Sequence, residues 1–184
     1  MLPLTKIDYN QDIFYILVLA SFLLVALIKG LYWKHAKLFF MSVFAQRYAN
    51  QYLREENAFT QRVNLISFLL MAINFTLVIA KFQVVIDLWK IMTLFLIIII
   101  FFILKIVVIK FLGFLFKVKD LAKLTVFFTL LFDKTLGFLL FPLVVGIYFF
   151  TFDISFFLLG ASFSLLIVLL MLKLFWLWKI GTNS

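Results

Sequence analysis

The chain has 184 residues, 67% of them hydrophobic, with 27 phenylalanines, six glycines, two prolines and a net charge of +9. Its mean hydropathy is +1.23, whereas soluble domains are only about half apolar, so lipid is the one environment that accommodates this much Phe, Leu and Ile. Cysteine is absent and histidine occurs once, as His35, which excludes disulfides, thiolate metal sites, cysteine nucleophiles and His-rich metal centres.

Residues 1–12 are short and polar and carry no basic n-region, so the first apolar run is expected to be a span rather than a secretory signal. That first span covers about 13–28 and ends in Lys29, Trp33 and Lys34, the aromatic and basic residues that a membrane–water boundary selects. From 36 to 61 the chain opens with Leu38-Phe-Phe-Met41 and continues into its only long polar run, Arg47 to Arg62. Arg47, Asn50, Arg54, Asn57 and Gln61 recur every three or four residues and share one helix face, opposite Tyr48, Tyr52 and Phe59. The pattern predicts an amphipathic helix at a membrane surface.

A second span follows over about 63–80, with Asn64, Ser67, Asn74 and Thr76 inside it, and a tight connection leads to a third over about 91–109. Lys105 falls in the last turns of that third span, where its own stem can carry the ammonium to the headgroups. A second basic, Phe-rich amphipathic segment covers about 111–132, bearing Lys117, Lys119 and Lys123. The run 124–150 would be about 40 Å long as one helix, against a hydrocarbon core of about 30 Å. Asp133 and Lys134 interrupt it. We therefore expect 118–132 to lie in or dip into the interface, and the fourth span to cover 135–150 with a kink at Pro142. The fifth span covers about 156–178.

These elements predict a single all-α membrane domain over 1–184, with about five transmembrane helices and one or two amphipathic interfacial helices. Lysine and arginine number six in 29–62, six in 105–134 and two in the tail, whereas the opposite side carries only Lys6, Lys81 and Lys90. The positive-inside rule then places the N-terminus outside and residue 184 in the cytoplasm, on the same side as the amphipathic segments. The net positive charge is expected to meet anionic lipid rather than nucleic acid, because the basic residues sit beside apolar spans.

The polar residues offer a few chemical readings. Arg47 and Arg54 lie one heptad apart and suit a lipid phosphate or a partner contact, with Asn50, Glu55, Glu56, Asp133 and Lys134 completing a polar cytoplasmic cluster. Glu55 and Glu56 point about 100° apart on a helix, so they read as a solvated face that offsets the arginines rather than a metal pair. Asp133 reads as a carboxylate near a helix start, favoured there by the dipole, although a buried charge would mark a functional site. Asn74 is expected to hydrogen-bond across helices, and Gly160 with Ser164 gives small-xxx-small spacing for close helix packing. No Gly-rich phosphate loop, catalytic triad or metal spacing is present, so no catalytic residue, metal or cofactor is expected. The two basic segments also align as a possible repeat, which sets Arg47 over Lys134.

Two motifs, Phe44-Ala-Gln-Arg-Tyr48 with Leu53-Arg-Glu-Glu56, and Leu131-Phe-Asp-Lys-Thr-Leu-Gly-Phe-Leu-Leu-Phe-Pro142, carry a resemblance over nearly the whole chain. It resembles a family of multi-pass inner-membrane proteins of Bacteroidota, the domain of unknown function forty-two seventy-one. The resemblance implies a bacterial inner-membrane location, brings no catalytic residues, and implies a further apolar segment after a tail like Trp176-Leu-Trp-Lys-Ile-Gly181. The expected function is a non-enzymatic accessory or assembly subunit of an inner-membrane complex, with protein export or gliding machinery as a candidate host. Two other classes stand beside it: a lipid-headgroup-binding protein or lipid-modifying enzyme at the cytoplasmic face, and a small transporter.

Overall fold

Long runs of Leu, Ile, Phe and Val surrounded by lipid leave backbone amides no partners but one another, which makes them helical. The computed structural model describes residues 9–54, 58–82, 88–150 and 152–182, and its regular structure among them is entirely helical. The order is α1 (Tyr9–Leu31), α2 (Trp33–Met41), α3 (Gln46–Arg54), α4 (Ala58–Ala80), α5 (Leu88–Leu115), α6 (Lys119–Phe149) and α7 (Phe152–Thr182). Five of them, α1, α4, α5, α6 and α7, are long and apolar enough to cross a membrane. The chain is an all-α membrane protein.

Contacts between these five helices show that successive ones run in opposite directions. Ser21 of α1 meets Asn74 of α4 while Ile28 packs with Val63. Ala80 of α4 packs with Ile91 of α5 while Phe68 meets Phe102. Lys105 of α5 meets Asp133 of α6 while Gly113 approaches Ala122, and Asp133 meets Lys173 of α7 while Gly146 approaches Leu158. Every long helix therefore has one end in a layer containing α2, α3 and the α5–α6 turn, which we call the basic end. α4 and α6 form the centre, with 56% of their apolar windows buried, against 17% for α1, α5 and α7. Along α6, Phe128, Leu131, Phe132, Leu136, Leu140 and Val144 join Val18, Phe39, Tyr52, Leu77 and Trp176 in the main core. The outer faces of α5 and α7 carry Ile97, Ile100, Phe101, Leu104, Ile167, Val168 and Met171 exposed. Water would not tolerate so continuous an apolar surface on a monomer, whereas acyl chains are its natural solvent.

The structure departs from the sequence reading at α6. Residues 119–149 form one continuous helix of 31 residues, about 46 Å long, so 119–132 is no separate in-plane element and Asp133 stands at a helix midpoint, not at a helix start. The length argument treated α6 as a lone rod that must stop at the membrane surface. Instead its first half is sheltered by protein: Phe127 meets Tyr52 of α3 and Phe128 stacks on Trp176 of α7. Pro142 sits inside the helix, which continues past it to Phe149. The 36–61 region also differs in detail, because it is divided by a turn at 42–44 into α2 and α3, and α4 already begins at Ala58.

Candidate functional site

The middle of α6 is buried on nearly every side, from Phe128 and Thr129 through Leu131, Phe132, Lys134, Thr135, Leu136 and Gly137. Consecutive residues on a helix point about 100° apart, so neighbours in sequence reach different helices. Asp133 turns toward α5 and α7, where Lys105 Nζ donates to one carboxylate oxygen and Lys173 Nζ donates to the other at 3.2 Å. The three side chains are 14%, 29% and 16% exposed respectively, so solvent reaches the cluster only in part. Lys105 also lies 5.5 Å from the Phe102 ring centre, a cation–π contact that adds to its hold. One carboxylate thus pins three helices together.

Lys134 turns the other way, toward α4. It is 6% exposed, and its ammonium donates to the Asn64 carbonyl oxygen at 3.0 Å. The Asn64 amide in turn bonds to the phenol of Tyr52, and the Tyr52 hydroxyl donates to the Thr60 carbonyl at 3.3 Å. Burial pushes the Tyr52 phenol well above its ordinary pKa, with the Asn64 bond offsetting part of the rise. Lys134 therefore has a neutral amide as its described hydrogen-bond partner.

Farther from the basic end, Asn74 is fully buried, accepts from Ser21 of α1 at 3.1 Å and donates to the Gly137 carbonyl of α6 at 2.8 Å. At Gly137 α4 and α6 approach closely: a β-carbon there would collide with the backbone and side chain of Met71. Tyr148 donates to the Leu77 carbonyl at 2.8 Å, stacks on Phe14 and lies beneath Lys81, tying α1, α4 and α6 at the opposite end.

The remaining sequence candidates fall elsewhere. Arg47 and Arg54 are exposed on α3, which is held to the bundle by buried Ala49 and Tyr52, so they do not converge with Asp133. Glu55 and Glu56 lie outside the described residues, as does the side chain of Asn50. Among the described residues no anion bridges Arg47 and Lys134. One belongs to a nine-residue surface helix and the other to the centre of α6, so the alignment that paired them does not give equivalent positions. Gly160 and Ser164 are exposed, and nothing lies within 4 Å of a β-carbon built on Gly160, so no described helix of this chain packs on Gly160. The inward stripe of α7 runs through Ser155, Leu159, Ser162, Leu169 and Trp176, and the small-residue pair sits off it.

Sequence reasoning missed the partnership of Lys105 and Lys173 with Asp133, and also Tyr148. The signal was three isolated charges in three different apolar spans, too costly to leave apart in lipid. Among the described residues no group of three His, Cys, Asp or Glu could hold a metal ion. The model of one protein family, described as a domain of unknown function (DUF4271), matches residues 14–183. No curated protein and no solved structure matches the chain.

Proposed function

The chain belongs to that family of unknown function, and from its own geometry we propose that it is a non-enzymatic accessory or assembly subunit of an inner-membrane protein complex in Bacteroidota, with its basic end cytoplasmic. The observation that carries this reading is α3: Tyr52 and Ala49 are sunk in the core while Arg47, Gln51 and Arg54 face outward. A helix fixed from behind and charged in front presents a preorganised docking face at little ordering cost. A lipid-modifying enzyme would instead need those arginines to converge with Asp133 on one cavity, whereas the described partners of Asp133 are Lys105 and Lys173. A proton-coupled transporter would need a carboxylate free to change partners, whereas each oxygen of Asp133 already holds an ammonium group. The fixed basic face supports an acidic partner surface, and the positive-inside balance supports its cytoplasmic placement. Protein export or gliding machinery is the host complex we favour.

Native purification of the tagged chain at endogenous levels, followed by mass spectrometry, should recover a stoichiometric partner. Arg47→Glu with Arg54→Glu should lower that recovery about tenfold while leaving the protein folded, since charge reversal acts on recognition rather than on the buried side of α3. A clean monomer from the unaltered strain would end this proposal.

A further inference from the structure

At the α5–α6 turn the two helices cross so closely that a β-carbon on Gly113 would collide with that of Ala122. Beside this crossing lies a groove of about 480 Å³, lined by Lys110, Gly113 and Phe114 of α5 and Ala122, Lys123 and Val126 of α6. Among the described side chains its walls are apolar apart from two exposed lysines, and no ion pair joins either of these to another described side chain. This separates them from Lys105 and Lys173, whose charge is already answered by Asp133.

The depth of the groove follows from helix rise. Lys110 lies about 33 Å along α5 from Leu88, and Lys123 lies about 39 Å along α6 from Phe149, at 1.5 Å per residue. The hydrocarbon core is about 30 Å thick. With the far ends of these helices at one surface, both lysines stand in the headgroup layer of the opposite leaflet, and Val126, about 35 Å along α6 from Phe149, stands one turn nearer the hydrocarbon than Lys123. We propose that this groove holds one anionic phospholipid of that leaflet. Its phosphate sits between Lys110 and Lys123, and the glycerol rests on Val126. Two point-charge ammonium groups attract a phosphate without demanding a fixed geometry. They disfavour a zwitterionic lipid, which brings an ammonium of its own toward them. The inference stands apart from the proposed subunit role, because it involves neither α3 nor a protein partner.

The test is native mass spectrometry of the full chain in detergent, titrated with phosphatidylglycerol or phosphatidylethanolamine. The unaltered protein should bind its first phosphatidylglycerol about tenfold tighter than phosphatidylethanolamine. Lys110→Gln with Lys123→Gln should erase that preference, and Val126→Trp should weaken both lipids by filling the groove. Lys34→Gln with Lys37→Gln, on α2, should change nothing, and thermal melting should verify the fold of each variant. Equal affinity for the two lipids, or a preference that survives loss of Lys110 and Lys123, overturns the proposal. So does binding of soluble glycerol phosphate as tight as that of phosphatidylglycerol, because the apolar wall would then contribute nothing.

Discussion

Removing the Asp133 carboxylate would leave Lys105 and Lys173 facing each other with no counter-charge between them. Deleting one member of a buried ion pair costs about 3–5 kcal/mol, and partial exposure of Lys105 sets the lower end of that range here. Asp133→Asn should therefore lower the melting temperature in detergent markedly. Lys134→Met should not, because it exchanges a buried ammonium held by an amide for an apolar chain of similar length, a change that is often neutral or stabilising. A Lys134→Met melting temperature that fell as far as that of Asp133→Asn would show that the Asn64 bond matters more than the desolvation it accompanies. The adjacent charges at 133 and 134 were legible in the sequence as an anomaly in an apolar run. Their partners were not, since Lys105 and Lys173 lie 28 and 40 residues away from Asp133. A lysine near a span end looks self-sufficient until a second helix supplies a carboxylate.

Between elements, the decisive contact is the α4–α6 crossing at Gly137. Gly137→Ala should push the two central helices apart and stretch the Asn74 bond to the Gly137 carbonyl, at a cost of about 1–3 kcal/mol for overpacking. Gly160→Ala should leave the stability of the isolated chain unchanged, because that position opens on empty space. Unfolding of both variants by denaturing detergent gives the comparison. Small-residue spacing tells that a helix is able to approach another, but not which of its faces has a neighbour. The Gly160–Ser164 pair was therefore visible although Gly160 meets no described neighbour within the chain, while Gly137 had no small partner at helical spacing to mark it. The amphipathic character of 46–54 was plain from its polar period, because arginines and tyrosines sort to opposite sides of that short helix. Its division from α2 was hidden, because the 42–44 turn contains neither glycine nor proline.

For the whole molecule, the five apolar runs gave the number of long helices directly, since chain length and lipid thickness leave few alternatives. Their limits were less legible, as α5, α6 and α7 continue beyond one bilayer thickness, and in α6 protein rather than lipid covers part of the extension. The absence of native cysteine makes orientation simple to measure with single introduced cysteines. Lys90→Cys should react with a membrane-impermeant maleimide in intact spheroplasts, and Lys123→Cys only after lysis; the reverse pattern would invert the topology. The Asp133 cluster also implies an order of events during synthesis. A lone charge inside a nascent span is costly as that span leaves the translocon, up to about 2.5–3.5 kcal/mol at its centre, and both α5 and α6 carry such charges. Because these helices are antiparallel and joined by the short turn at 116–118, Lys105 and Asp133 can neutralise each other when the pair exits together as a hairpin. Lys173 emerges 40 residues after Asp133, so the second oxygen of the carboxylate waits for α7, whose arrival fastens the three helices together in one step.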